Sequence, residues 1–332
     1  MAKLVVKGKP QNSKGFGLYL LVLVSSILLI FIGNRIASKD MVAFDNTEGM
    51  SALEAEIVAI TDIVETDTQS GDSTEFTVKD ILFTAQITSG ERSGETVEAV
   101  QSINSYFILK PQEVAVDDQV ILYEFEDEYY GTDWVFGEFI RIKPLMVLGA
   151  IFALLLIIFG RSKGLQTLIS LVFTIMAVFY VFVPAILSGY NIYLWTMIVG
   201  IYIIFMTLLI VSGISIKTAV AGIGCVSGMF FSAAMFFVMD FFLKLTGVID
   251  QDSVFLLMLN PDRPIDLKGV IFGAIVIGAI GAIMDVAMSI SSALYEMKEK
   301  YAANSFAQLV SSGFTIGRDI MGTMANTLVL AY

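Results

Sequence analysis

The sequence predicts a polytopic α-helical membrane protein with an inserted small antiparallel β-domain, OB-like and extracytoplasmic. Of its 332 residues, 56% are hydrophobic and only 16% are charged, whereas soluble domains carry about 25% charged residues. Several apolar runs approach the roughly 20 residues that span a bilayer. Residues 37–143 contain 23 acidic and 6 basic residues, against 9 and 14 in the remainder. An acidic domain is therefore expected to interrupt a mildly basic membrane body.

The composition also excludes several classes of function. Nucleic-acid recognition needs basic patches, so the net charge of −12 argues against a nucleic-acid partner. The chain has no histidine and a single cysteine, Cys225, which excludes an internal disulfide and a His/Cys zinc site. We expect no metal and no cofactor, and any proton chemistry falls to carboxylates.

The start of the chain predicts a membrane anchor. A basic segment, residues 1–14, precedes an apolar run that we assign to a first transmembrane helix at 15–36. A signal peptide has the same pattern, and "IASKD" offers small residues for cleavage. The length of the run favours an uncleaved helix. In both cases the basic start stays in the cytoplasm and the following segment is exported.

Residues 37–143 form the predicted acidic extracytoplasmic domain. They contain five stretches rich in β-branched and aromatic residues, separated by turn signals such as "SGERSG". The stretches are 54–60, 75–87, 95–103, 118–126 and 134–142. Five short strands in about 100 residues indicate a small antiparallel barrel or sandwich, and we expect an OB-like barrel.

Residues 144–332 form the predicted helical membrane domain. Its spans are expected at about 145–160, 165–187, 192–211, 219–241 and 269–293, with an incomplete span from about 320. Lysines and arginines after alternate spans fall on the same side as the basic N-terminus, which predicts a cytoplasmic N-terminus. The cysteine-free exported domain fits a bacterial plasma membrane. The last run is too short to cross, so we expect either that the chain is truncated at residue 332 or that the last helix is completed elsewhere.

Two stretches near the end carry a resemblance to a known family. "GAIGAIMDVAMSISSALYE" (278–296), followed by "SSGFTIGRDIMGTMANTLVLAY" (311–332), resembles the YibE/F-like family of bacterial multi-pass membrane proteins. "FVPAILSGYN", "ISIKTAVAGIGCVSG" and "KLTGVID" match in the same order. The resemblance implies a final helix that continues, and it singles out Asp285, Arg318, Asp319 and Asn326. It implies no established activity.

A polar stripe crosses the last complete span. Asp285, Ser289 and Ser292 are spaced i, i+4 and i+7, so they share one helix face. Gly278 and Gly281 extend this face backward, and small residues permit close helix packing. One interpretation is a coupling site for protons or a cation on the interior of the bundle. The alternative is that Asp285 fixes helix packing through serine hydroxyls or Arg318.

Further polar and small residues have two interpretations each. Arg318 and Asp319 form either a gate, at a helix break made by Gly313 and Gly317, or a local charge pair at the cytoplasmic interface. Asn326 either bonds a neighbouring helix or lines a pathway. Asp240 is expected at the outer interface. Gly224 and Gly228 form a small-residue seam that predicts close helix packing, as do Gly278 and Gly281.

The sequence thus favours a permease-like transporter in which a buried carboxylate couples to protons or a cation. The alternative is a membrane-anchored sensor or assembly scaffold that acts through the acidic domain. An intramembrane hydrolase using Asp285 and Asp319 is disfavoured because Arg318 adjoins the second carboxylate, so we expect no enzyme activity. The expected partners are the lipid bilayer, a protein that binds the acidic domain, and a second copy or a companion membrane subunit.

Overall fold

The computed structural model describes residues 13–41, 52–70, 74–104, 112–129, 132–248, 264–300 and 305–331. The chain divides into two compact units. One unit comprises residues 43–153 and contains the β-strands. The other comprises residues 1–42 together with 154–332 and contains most of the helices. Each unit has its own hydrophobic core.

The β-unit is a closed five-stranded barrel. Its strands are β1 (Ala52–Ser70), β2 (Thr74–Ile87), β3 (Thr96–Asn104), β4 (Gln119–Tyr129) and β5 (Thr132–Phe139). The order around the barrel is β1-β2-β3-β5-β4, and β4 pairs with β1 to close it. The predicted β-domain is confirmed, but its sheet is mixed. Strand β5 is antiparallel to β4. It runs parallel to β3 and pairs with that strand at Ala99 and Trp134.

The core of the barrel follows the two-residue period of its strands. On β2, alternate side chains point inward and are fully buried, namely Ile81, Phe83, Ala85 and Ile87. Gln101 on β3 is also buried, and its side chain bonds the backbone of Gln112 and Val114 at 2.9 Å each. These bonds hold the connection into β4 because they satisfy backbone groups that no strand pairs with.

The helical unit contains long apolar helices. The helices are α1 (Ser13–Ala37), α2 (Ile142–Ala177), α3 (Val183–Leu187), α4 (Ile192–Ser212), α5 (Ile216–Leu243), α6 (Leu267–Lys300) and α7 (Phe306–Ala331). Within the described residues, five stretches are long and apolar enough to cross a membrane: Tyr19–Ala37, Ile142–Leu187, Ile192–Ser212, Ile216–Leu243 and Leu267–Lys300. This composition and length define a helical membrane protein.

Helix α2 is interrupted by a sharp bend. Arg161 has φ 50° and ψ −128°, outside the helical region. The chain then folds so closely that a Cβ on Gly164 would collide with the carbonyl oxygen of Leu156. Lys163 donates from Nζ to the carbonyl of Val211 at the end of α4. The sequence predicts two separate helices here, and the range of α2 contains two helical segments that meet at the non-helical residue Arg161.

A π-helical turn, Val178–Phe182, joins α2 to α3. Pro184 follows it and has no N–H, so it cannot donate to the carbonyl of Tyr180 one turn earlier. The side-chain amide of Asn34 on α1 donates to that carbonyl at 2.6 Å. Ser188 likewise donates to the carbonyl of Ala37 at 2.6 Å. Helix α1 is therefore held to the π turn and α3 by hydrogen bonds as well as by apolar packing.

Helices α4, α5 and α6 form the packed centre of the unit. Ile204, Met229 and Val276, one from each helix, are fully buried. The helices approach closely at Gly200, where a Cβ would lie 2.7 Å from Met229 Sδ and 3.0 Å from Ile280 Cδ1. Small residues allow such approaches in membrane helices, where dispersion forces between closely packed surfaces drive association.

Helix α7 corrects the prediction for the end of the chain. It runs without a break from Phe306 to Ala331, instead of breaking at Gly313 and Gly317. Ser305 begins the helix with a reciprocal pair of hydrogen bonds to Gln308. A Cβ on Gly313 or Gly317 would lie 3.2 or 3.3 Å from α6 side chains. The two glycines therefore serve helix packing.

Candidate functional site

The polar stripe of α6, which we define as Gly278, Gly281, Asp285, Ser289 and Ser292, lies on the outside of the helical unit. Asp285, Ser289 and Gly281 are exposed, and Gly278 and Ser292 are half-buried. The sequence predicts, incorrectly, that this stripe faces the interior of the bundle. Helical spacing shows that residues share a face, but it does not show which way the face points. The inward face of α6 carries Phe272, Val276 and Ile280 instead, all buried.

Helix α5 contacts another side of α6 through its glycine seam. A Cβ on Gly228 would lie 2.7 Å from Cγ2 of Ile283, and one on Gly224 would lie 3.7 Å from Cβ of Ala287. The structure thus places Gly224 and Gly228 in the α5–α6 contact. A Cβ on Gly281 would meet nothing within 4 Å. In the stripe, the small residues leave space that the described helices do not fill.

Helix α7 runs antiparallel to α6 along yet another side. Gly313 lies opposite Leu294, Gly317 opposite Ile290, and Val329 lines a groove together with Gly278. Thr315, Arg318, Asp319 and Asn326 are all exposed, and we call them the polar face of α7. Helix α7 is therefore amphipathic, with its apolar side on α6 and its polar side outward.

The structure does not bring the candidate charges together within one chain. Around α6, Asp285 lies more than 100° from the Ile290 and Leu294 side that contacts α7, at 100° per residue. Among the described residues, no salt bridge includes Asp285, Arg318 or Asp319. Arg318 is therefore not the counter-ion of Asp285 in its own chain. Asp285 and Asp319 likewise do not form a facing carboxylate pair.

Two apolar grooves flank α6. One, of about 750 Å³, lies between α5, α6 and α7 and is lined by residues that include Gly224, Phe231, Ile283 and Met321. The other, of about 700 Å³, adjoins the polar stripe and is lined by residues that include Ile275, Gly278 and Val329. Each groove is large enough for an acyl chain or a bulky side chain from a neighbouring molecule.

An ion pair at the opposite end of α6 is not evident from the sequence. Lys268 Nζ lies 3.1 and 3.2 Å from the two carboxylate oxygens of Asp240, near the end of α5. Asp266 begins α6 by accepting from the N–H of Gly269 at 3.0 Å. The sequence predicts Asp240 at the outer interface but gives no partner for it, because 28 residues separate it from Lys268 and no helical spacing relates the two.

The residues that could bind a metal do not cluster in the described part of the chain. Within those ranges, no group of three or more His, Cys, Asp or Glu side chains has a geometry that could hold an ion. Cys225 is fully buried and has no disulfide partner. The chemistry that the described site offers is that of one aspartate and two serine hydroxyls on an apolar helix.

These features define an integral membrane protein that combines several apolar helices with a small β-barrel. A family model described as YibE/F-like protein matches residues 148–332, which is more than half of the chain and includes every candidate residue above. The chain belongs to the YibE/F-like family. No curated protein and no solved structure matches it.

Proposed function

We propose that the protein is a permease-like transporter in which Asp285 couples translocation to protons or a cation. One observation supports the proposal most. An aspartate sits within an apolar helix, on a stripe of small and hydroxyl residues that the described helices of its own chain leave uncovered. Carboxylate and hydroxyl oxygens suit a proton relay or a cation site.

The energetics of Asp285 favour a functional role. An aspartate at the centre of a spanning helix costs about 2.5–3.5 kcal/mol on insertion scales. No ion pair among the described residues offsets this cost. Intramembrane carboxylates usually face a partner or a water-filled cavity. The proposal therefore requires that the polar stripe lines a pathway whose other wall is outside the described part of one chain.

The proposed topology follows the charge distribution. The N-terminus is cytoplasmic in a bacterial plasma membrane, because the positively charged residues 1–14 resist export. The barrel is extracytoplasmic, and its closed five-stranded order supports an OB-like domain. No hydrolytic step is proposed, since Asp285 and Asp319 belong to separate helices with no described contact.

The test is a flux assay on the full-length protein in liposomes that contain a pH-sensitive dye. Ion and proton gradients are imposed on wild type, on Asp285→Asn, and on Glu299→Gln. The control makes the same carboxylate-to-amide change on α6, beyond its apolar segment. We expect Asp285→Asn to reduce flux at least tenfold and Glu299→Gln to preserve it. Equal background flux for all three proteins across common ions would refute the transporter.

A second candidate is a sensor or scaffold that acts through the barrel. It is supported by the compactness of the barrel, which forms a unit of its own with a separate core. Complementation of a deletion strain distinguishes the candidates. A scaffold tolerates Asp285→Asn and fails without residues 43–141. A transporter fails with Asp285→Asn and retains flux when the barrel is removed.

A further inference from the structure

We propose that the polar stripe of α6 is covered by the polar face of α7 from a second copy of the same chain, with Arg318 of one copy paired to Asp285 of the next. The inference deepens the proposed function and rests on it for one point only, that the covered stripe is a pathway. The contact itself is argued from charge, depth and direction.

The charges favour a second copy as the partner. Asp285 forms no salt bridge among the described residues, and the polar face of α7 carries Arg318 beside Asp319. The two α7 charges lie about 100° apart around the helix, so Arg318 can face the stripe while Asp319 points to one side. Asp285 and Arg318 are both exposed on a pair of helices that otherwise pack through apolar residues and glycines. Each is costly against lipid, and a contact between copies removes both costs at once. Thr315 and Asn326 add hydrogen-bonding groups to the same face.

The depths of the two charges also allow a contact. All copies of a chain insert in one orientation, so a closed oligomer has its axis along the membrane normal and equivalent atoms lie at equal depth. The antiparallel α6–α7 contacts set Gly317 level with Ile290 and Gly313 level with Leu294. This register places Gly322 level with Asp285. Arg318 lies four residues from that level, about 6 Å along the helix, within reach of an extended arginine side chain.

The directions in which the stripe and the polar face of α7 point determine the kind of assembly. The polar face of α7 points away from α6, whereas the stripe lies on a different side of α6 from the Ile290 and Leu294 contact with α7. One copy therefore presents its two faces in different directions. A contact between the stripe of one copy and α7 of the next is head-to-tail, and such contacts form a ring when the rotation between copies closes.

The test is disulfide crosslinking in membranes, with full-length chains in which Cys225→Ala removes the native thiol. Ser292→Cys lies on the stripe, and Thr315→Cys lies at the same depth on α7 by the register above. The two substitutions are made on separate, differently tagged chains that are co-expressed. We expect crosslinks between the two kinds of chain and none between chains of one kind. A chain that carries both substitutions should give a ladder beyond the dimer.

A depth control replaces Thr315→Cys by Asn326→Cys. Asn326 is eleven residues further along α7, about 16 Å away in depth, so crosslinking to Ser292→Cys should disappear. Charge reversal tests the pair itself. Asp285→Arg and Arg318→Asp should each reduce the crosslinked ladder at least fivefold, and the double variant should restore it.

Other outcomes overturn the proposal. Crosslinking of Ser292→Cys chains to each other would show a twofold contact through α6. A complete absence of crosslinks, although both chains insert, would show that lipid or another protein covers the stripe. The flux assay tests the transporter separately from the interface. Crosslinks without Asp285-dependent flux would support the interface and refute the transporter. Asp285-dependent flux without crosslinks would support the transporter and refute the interface.

Discussion

Gly228 on α5 and Ile283 on α6 approach so closely that a Cβ on the glycine would lie 2.7 Å from Cγ2 of the isoleucine. The methyl group belongs to a β-branched side chain and is attached directly to its Cβ, so it moves little without the backbone. The contact therefore sets the spacing between the two helices that flank the larger groove.

We first predict that Gly228→Ala destabilises the helical unit by about 1–3 kcal/mol, because the added methyl group overpacks this contact. Gly281→Ala is the matched control, since a Cβ there meets nothing within 4 Å. Alanine is the better helix former, so the control should be neutral or slightly stabilising. The measurement is the unfolding midpoint of the full chain in detergent. Equal losses in both variants would contradict the assigned contact.

The second prediction concerns the ion pair of Asp240 and Lys268. Lys268→Met leaves the carboxylate without its partner, and Asp240→Asn leaves the ammonium group unpaired, so each change should lower stability. The double variant should lose less than the sum of the two, with a coupling of about 1 kcal/mol. Lys244→Met, at the same end of α5, is the control, as its described contacts include no salt bridge. Additive losses would exclude a stabilising pair.

The third prediction is a pH dependence in the barrel. Arg92 donates to Glu95 at 2.7 and 3.0 Å, and this hydrogen bond holds the pKa of Glu95 below its ordinary value. A carboxyl whose pKa is lower in the folded state stabilises the fold above its unfolded pKa. The contribution disappears as the pH falls through the folded pKa. The stability difference between wild type and Glu95→Gln should thus be present at pH 7 and vanish in acid.

The probe for this experiment is Trp134, whose ring lies 5.2 Å below the Arg92 guanidinium. The chain has two tryptophans, so Trp195→Phe leaves Trp134 as the single tryptophan, which can be excited selectively. Its emission in the full-length protein reports barrel unfolding at each pH. Because Arg92 and Glu95 are solvent-exposed, added salt should shrink the difference. A difference that grows toward acid would reverse the assigned sign.

The fourth prediction concerns Asp80 on β2. Its side chain is fully buried, and neither carboxylate oxygen has a hydrogen-bond partner among the described residues. Burying an unpaired charge is costly. Asp80→Asn keeps the shape and removes the charge, so it should raise the unfolding midpoint of the barrel at pH 7. Glu98→Gln, an exposed carboxylate on β3, is the control and should have little effect. A lower midpoint for Asp80→Asn would reveal a partner for the carboxylate.

Local patterns in the sequence predict much of the fold. The five strands lie where alternating β-branched and aromatic residues place them, because burial on one face of a strand imposes a two-residue period. The parallel β3–β5 pairing is not predictable in this way. It depends on which strands meet when the barrel closes, a contact between residues 99 and 134 that no local pattern encodes.

The polar stripe of α6 is likewise only partly predictable from the sequence. Spacing alone identifies Asp285, Ser289 and Ser292 as one face, since the helical period is fixed. The direction of that face depends on where α4, α5 and α7 pack, which is a tertiary property. Gly313 and Gly317 illustrate the same limit. In the sequence, a glycine pair suggests a helix break. In the structure, the pair lies against a neighbouring helix and allows close contact.

The bend at Arg161 has a consequence for biosynthesis. The two halves of α2 emerge from the ribosome in succession, and the chain between them bends so sharply that Gly164 meets Leu156. Two apolar segments joined by so short a bend can enter the bilayer together while Arg161 and Lys163 remain with the headgroups. We expect these segments to partition together during translation. Any side chain at position 164 would hinder that step before the helices of the remaining chain had been synthesised.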